Sequence, residues 1–161
     1  MGPPVDPPIG LHLTRVERAV SRAFDDALAA AGGSRPVWLV LIALKTQPAA
    51  NQRRLAEAVG IQGATLTHHL NAMEADGLVT RRRDPANRRV HVVEMTERGE
   101  ATFHRLRRAA MGFDRRLRHG LSAGEVATLA ALLERLRVNA TEQDGEVAAP
   151  EGAVEVPAGA G

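Results

Sequence analysis

The sequence predicts a mainly α-helical chain with a small β-hairpin wing, a winged helix-turn-helix joined to a helical dimerisation region. Three observations carry this. Residues 51–75 hold two short helical patterns separated by Gly60. Residues 78–96 then switch to β-branched alternation around a turn flanked by five arginines. Long apolar-striped helical segments lie on both sides, more than a compact winged lobe can bury.

Taken in order, residues 1–10 contain Pro3, Pro4, Pro7 and Pro8 and are expected to be a disordered leader. The leader has no basic segment followed by an apolar core, so it does not resemble a secretory signal. From His12 to Ala30, Leu13, Val16, Val20, Phe24, Ala27 and Leu28 form one helical stripe. The apolar run from Val37 to Leu44 is compatible with a strand. Ser34 as N-cap and Pro36 in the first turn favour a buried helix instead.

Asn51 can cap the run Gln52-Arg53-Arg54-Leu55-Ala56-Glu57-Ala58-Val59, and Gly60 supplies the left-handed residue that ends it. In the next helix, from about Gly63 to Ala75, Leu66, Leu70 and Met73 repeat at the spacing of a buried stripe. That spacing turns Ala64, Thr65, Thr67, His68 and Asn71 outward as a small, polar face. Such a face fits the major groove of duplex DNA, although a merely solvated helix can share its composition. Gly77 stops the helix.

Leu78-Val79-Thr80-Arg81-Arg82-Arg83 and the segment from Arg89 to Thr96 are expected to pair as strands about Asp84-Pro85-Ala86-Asn87. Arg81, Arg82, Arg83, Arg88 and Arg89 load this hairpin with positive charge directly after the candidate recognition helix. Its natural counter-surface is the phosphate backbone and the adjacent minor groove. Arginines that only solvate a hairpin are the bland alternative in a chain with a single lysine, Lys45. Arg53 and Arg54 are secondary phosphate candidates.

Thr96-Glu97-Arg98-Gly99 opens a long helix to about His119, striped by Phe103, Leu106, Ala110, Phe113 and Leu117. Ser122 with Glu125 forms a capping box for a last helix striped by Val126, Leu129, Leu133 and Leu136. The first, long and last helices together need more cover than one winged lobe gives, so a second chain is expected. A monomeric bundle is the competing arrangement. Residues 11–138 thus form the expected domain, with dimerisation helices over 11–31 and 97–138 and a DNA-binding lobe over about 34–96. Residues 139–161 are an expected disordered acidic tail.

Net charge over the 161 residues is only +2, but six of the 19 acidic residues lie outside residues 11–138. The domain therefore carries 13 acids against all 21 bases, a net +8. Charge opposition suggests that the acidic tail competes with DNA for this basic surface. Cysteine is absent, which removes disulfides and thiolate metal sites. A cytoplasmic protein without cofactors is the simplest expectation.

His12, His91, His104 and His119 share no metal-ligand spacing, and the neighbours His68 and His69 point in different directions on a helix. His69 sits close enough to the buried stripe to be partly covered. The sequence contains no Gly-rich phosphate loop, nucleophile elbow, HExxH motif or tyrosine. An enzyme is not expected. The rival to a sequence-specific regulator is a winged-helix protein that coats DNA nonspecifically or uses the motif for protein contacts.

The stretch from Leu55 to Gly99 resembles the MarR (multiple antibiotic resistance regulator) transcription factors. The residues that carry the likeness are Leu55-Ala56, Thr65-Leu66-Thr67, Leu70, Met73-Glu74, Gly77-Leu78-Val79, Arg82, Asp84-Pro85, Arg88-Arg89 and Met95-Thr96-Glu97-Arg98-Gly99. It extends over roughly residues 11 to 138. The resemblance implies a homodimeric regulator on a pseudo-palindromic operator, released by a small aromatic or phenolic effector. It further implies that the first and last helices intertwine with a partner chain, setting two recognition helices roughly 34 Å apart.

The family's wing carries an Asp-x-Arg pair whose aspartate orients the arginine that enters the minor groove. Here Asn87-Arg88-Arg89 keeps Arg89 and replaces the aspartate by an amide, which accepts a hydrogen bond without forming a charged pair. His68 stands where many relatives place an arginine. The resemblance also places an effector crevice near the second helix, which makes Phe24, Trp38 and Phe113 candidates for its wall.

Overall fold

The structure, a computed structural model, describes residues 8–48 and 50–141. Its elements run α1 (Ile9–Ala30), α2 (Arg35–Thr46), β1 (Ala50–Asn51), α3 (Gln52–Val59), α4 (Gly63–Ala75), β2 (Val79–Arg83), β3 (His91–Met95), α5 (Glu97–Leu117) and α6 (Ala123–Thr141). They divide into two compact units, the first ending at Leu117 and the second starting at Arg118. The expected mainly helical fold with a small wing is what is found.

In the first unit the core joins Leu28 of α1 and Val40, Leu41 and Leu44 of α2 to Leu55, Leu66, Leu70 and Met73 of the helix pair. Val79 and Val93 of the sheet and Phe103 and Leu106 of α5 complete it. Leu66 and Leu70 are fully buried, as their spacing predicts. Truncating either to alanine should cost about 2–5 kcal/mol. This buried stripe fixes which face of α4 remains outside.

The segment from Val37 to Leu44, open to strand or helix by composition, is helical. Pro36 occupies the first turn and Ser34 the cap position, but the Ser34 hydroxyl makes no capping bond. Asn51 does cap α3, its Oδ1 accepting the Arg54 N–H at 2.8 Å. Gly60 ends that helix at φ 75°, a left-handed conformation costly for side-chain-bearing residues.

The sheet has order β1-β3-β2 and is antiparallel throughout. Its third strand, β1, pairs Ala50 with Val93 and Asn51 with Val92, an element the two-strand expectation lacked. The hairpin is also shorter than expected on its second side. β3 starts at His91 rather than Arg89, because the Asp84 N–H bonds Val90 O at 2.9 Å and the Val90 N–H bonds Asn87 O at 2.8 Å. These bonds close residues 84–90 as a loop, so Arg88 and Arg89 lie on the wing tip rather than on a strand.

The wing is tied to α5 through Thr96. Its N–H donates to Leu78 O at 3.1 Å, and its hydroxyl donates to Gly77 O at 2.6 Å while accepting the Gly99 N–H at 3.0 Å. One residue thus caps the helix and anchors the base of the hairpin.

In the second unit the Ser122–Glu125 capping box forms as expected. Ser122 N donates to Glu125 Oε2 at 2.7 Å, and Glu125 N donates to Ser122 Oγ at 3.2 Å. Helix α6 has 19 residues and buries none of them.

Two boundary expectations need correction. Helix α1 begins at Ile9, inside the stretch assigned to a disordered leader over 1–10, and α6 continues to Thr141, past the expected end at 138. Pro8 precedes the first of these as its N-cap. The rest of the leader and the acidic residues beyond Thr141, with the competition suggested for them, lie outside the described residues.

Candidate nucleic-acid interface

Burial of Leu66, Leu70 and Met73 leaves Ala64, Thr65, Thr67, His68 and Asn71 exposed together on α4. All five are where the helical period puts them. Gln62 makes no side-chain cap, so the first-turn N–H groups of α4 are open to an acceptor. Thr67 is more constrained than its exposure suggests. Its hydroxyl donates to Gly63 O at 2.9 Å and accepts from Gln52 Nε2 at 3.3 Å.

Gln52, which sequence reasoning did not select, therefore belongs to the same surface. It lines an open concavity of about 970 Å³ together with Gly63 and Thr67 of α4 and Arg89 and His91 of the hairpin. The start of α4 and the wing tip thus border the same concavity.

The five hairpin arginines are not equivalent. Strand pairing puts Val79, Arg81 and Arg83 opposite Met95, Val93 and His91, while Thr80 and Arg82 lie opposite Glu94 and Val92 on the other face. Arg81 is drawn toward α4. Its Nε and Nη2 donate to Glu74 Oε2 at 3.0 and 2.6 Å, its backbone N–H donates to Glu74 Oε1 at 3.1 Å, and Nη2 also donates to Asn71 Oδ1 at 2.7 Å. Arg82 forms a two-pronged pair with Glu94, at 3.0 and 2.7 Å.

Arg81, expected among the phosphate contacts, is thus half-buried with its charge matched by Glu74, and Arg82 is matched by Glu94. Those hydrogen bonds hold the Glu74 and Glu94 carboxyls below the ordinary carboxylate value. Arg83, Arg88 and Arg89 are exposed and form no ion pair among the described residues. The unpaired positive charge of the hairpin is concentrated on these three.

Asn87 acts on backbone. Its Oδ1 accepts the Arg89 N–H at 3.2 Å, and the Asp84 carboxylate accepts the Ala86 N–H at 2.8 Å. This amide shapes the turn leading to Arg89 and leaves the guanidinium unpaired.

The three aromatic candidates separate. Phe24 and Phe113 meet at a centroid distance of 5.2 Å, with the Arg35 guanidinium 5.6 Å from the Phe24 ring. They border a cleft of about 290 Å³ with Ser21 and Arg35. Arg35 is partly engaged, donating to Asp25 Oδ1 at 2.7 Å and to Ser21 O at 2.8 Å. Trp38 lies elsewhere, stacked on Phe103 at 5.7 Å, and does not line the cleft.

Of the histidines, His68 is exposed and His69 half-buried, their rings 5.8 Å apart. Among the described residues no group of three or more His, Cys, Asp or Glu side chains is arranged to hold a metal ion. No single helix among them is long and apolar enough to cross a membrane.

Comparison with known proteins gives this geometry a context. The sequence profile of the MarR family matches residues 34–91, the segment from α2 to the start of β3. A protein of Thauera aromatica assigned to transcriptional regulation of the hcr operon is 30% identical over 129 residues, which cover 80% of this chain and 78% of that one. The chain belongs to the MarR family.

Solved structures agree. The transcriptional repressor CouR, bound to a 23-mer DNA duplex, superposes with a TM-score of 0.73 at 27% identity, covering 81% of this chain and 92% of that one. A MarR-family regulator from Rhodococcus sp. RHA1 gives 0.67 at 25% identity, covering 83% and 92%. This MarR-family chain is a DNA-binding transcriptional regulator of winged-helix fold, and not an enzyme.

Proposed function

We propose that this regulator is a cytoplasmic, ligand-responsive repressor that grips a pseudo-palindromic operator as a homodimer. The observation that carries the reading is the concavity lined by α3, the polar start of α4 and the unpaired wing arginine Arg89 together. A recognition helix seated in the major groove would bring that wing over the neighbouring minor groove. Ala64, Thr65, Thr67, His68 and Asn71 then meet base edges, Arg88 and Arg89 reach the minor groove, and Arg83 meets phosphate. Arg82, held by Glu94, contributes mainly by stiffening the wing.

Exposed apolar surface supports the homodimer. Ile9, Leu11 and Val16 on α1, and Leu129, Leu132 and Leu133 on α6, are each more than a third exposed. Covering such side chains is worth about 25 cal/mol per Å², and a second copy offers complementary stripes. CouR, a repressor, is bound to a 23-mer duplex, long enough for two half-sites one helical turn apart.

The cleft bordered by Phe24 and Phe113 is sized for a single-ring aromatic effector, with Ser21 and Arg35 to meet its polar substituents. Trp38 has no direct part in that cleft.

Selection of bound duplexes from a random pool, followed by footprinting, tests the reading. A bounded, two-fold-related protected site of roughly twenty base pairs is expected. Uniform protection with no enriched sequence would instead indicate a nonspecific architectural role.

A further inference from the structure

Asn71 does not present its whole amide to a ligand. The only groups a guanidinium offers are donors, so the 2.7 Å contact from Arg81 Nη2 requires that the Asn71 oxygen, not its nitrogen, face the arginine. Arg81 is itself held in place from three directions by Glu74, through Nε, Nη2 and its backbone N–H. Glu74 and Asn71 are neighbours on α4, three residues apart, and Arg81 reaches both from β2.

We infer that Arg81 is a positioning residue for base recognition: clamped by Glu74, it fixes the Asn71 amide with its oxygen toward the wing, one lone pair taken, and leaves the NH2 as the group turned to the major groove. The inference rests on the reading that α4 lies in that groove. Its chemical consequence is specific. An unrestrained asparagine pairs bidentately with adenine, accepting from N6 while donating to N7. With the amide held in that orientation, Asn71 is kept from swinging its oxygen to an adenine N6 and so gives up the acceptor half of the pattern. It then favours an edge rich in acceptors, guanine with N7 and O6 or thymine with O4, over adenine, which keeps a single bond through N7 while its N6 amine finds no acceptor, and over cytosine, which offers only an amine.

Arg81 therefore influences which base is chosen without touching DNA. This separates it from Arg83, Arg88 and Arg89, whose unpaired charge is available to phosphate. Arg82 and Arg83 read the same as Arg81 in sequence, yet of the three Arg81 is the one hydrogen-bonded to Asn71.

The test compares selected-sequence profiles and salt dependence for the full-length protein. Asn71→Ala should remove discrimination at one position of each half-site, by roughly tenfold, the effect of one lost base contact. In the wild-type profile that position should be guanine or thymine. Arg81→Lys keeps a positive charge beside Glu74 but lacks the fork that reaches both partners, and Glu74→Gln loosens the same clamp from the other side. Both should shift preference toward adenine at that position alone, and Arg81→Lys should change nothing further in an Asn71→Ala background.

Arg81→Gln, which removes the charge, should leave the slope of log Kd against log salt unchanged. A slope shallower by about one would place Arg81 on a phosphate and overturn the inference. Profiles for Arg81→Lys and Glu74→Gln identical to wild type would overturn it as well, as would adenine at the Asn71-dependent position in the wild-type profile. If the wild-type protein enriches no sequence at all, the reading of α4 as a groove reader has failed, and this inference falls with it. Enrichment without the predicted shift fails the inference alone.

Discussion

Gly99 sits where α5 crosses the base of the wing, and replacing it by alanine should be far more costly than its helical position suggests. A Cβ there would lie 2.0 Å from Leu78 O and 2.7 Å from Met95 Cγ. Reaching ordinary contact at 3.4 Å from the 2.0 Å starting point requires a shift of about 1.4 Å between helix and hairpin. The contact is with backbone, so no side-chain rotation relieves it.

That shift would break the Thr96 bonds to Leu78 O and Gly77 O, which are 3.1 and 2.6 Å long. Two such bonds at about 1 kcal/mol each, added to overpacking of about 1–3 kcal/mol, give about 3 to 5 kcal/mol. In thermal unfolding at fixed protein concentration, Tm should fall by at least about 6 °C for a chain of this size. Gly112→Ala on the same helix is the control. Its Cβ would meet only the Arg115 Nη2 atom at 3.8 Å, so the substitution should stabilise by about 0.5–1 kcal/mol through reduced backbone entropy. A Gly99→Ala protein melting within about 2 °C of wild type would refute the packing argument, since overpacking alone predicts more.

Three further outcomes follow from the same structure. Arg89→Ala should weaken binding to the selected duplex by about 1 to 3 kcal/mol and lower the salt slope by about one, measured by fluorescence anisotropy at several salt concentrations; unaltered affinity would remove the wing tip from the mechanism. A Leu129→Asp, Leu133→Asp double variant should shift light scattering at micromolar concentration from a dimer mass to a monomer mass, with helicity of the winged unit retained, and a wild type already monomeric would end the dimer proposal. Glu74, Glu94 and Glu100 are held below the ordinary carboxylate value chiefly by side-chain hydrogen bonds from Arg81, Arg82 and Lys45. Because the unfolded chain then binds more protons, their stabilisation is complete above the ordinary value and is lost as pH falls through the lowered folded-state values; Tm against pH should show this acid limb, and Glu74→Gln, Glu94→Gln should flatten it.

The parts of the fold legible in the sequence are those fixed by local chemistry. Asn51 and Gly60 bound α3 because an amide cap and a left-handed glycine act within a few residues, and the Ser122–Glu125 box declares α6 for the same reason. The Leu66, Leu70 and Met73 stripe determines the outer face of α4 without knowledge of what packs beneath. Strand β1 escaped notice because two residues carry no period, and only their pairing with Val92 and Val93 makes them a strand.

The arginines mark the limit more sharply. As a string, Arg81, Arg82 and Arg83 are one cationic run. The pleat sends alternate members to opposite faces, where Glu74 and Glu94 neutralise two of them. The period-2 rule could have separated Arg82 from its neighbours, but the Glu74 partnership depends on how β2 lies against α4. Trp38 was similarly ambiguous, since an aromatic residue on a buried helix has several possible neighbours. Its stacking on Phe103, contributed from far along the chain, decides the matter.

In the proposed function two surfaces divide the labour, the outer face of α4 choosing sequence and the wing arginines supplying charge-driven grip. A variant carrying Thr65→Ala, Thr67→Ala, His68→Ala and Asn71→Ala, titrated by anisotropy against the selected duplex and against a scrambled duplex of equal length, tests it directly. The ratio of the two affinities should collapse toward one while the affinity for scrambled DNA stays near that of wild type. Retention of the wild-type ratio would contradict the claim and move sequence recognition to another part of the molecule.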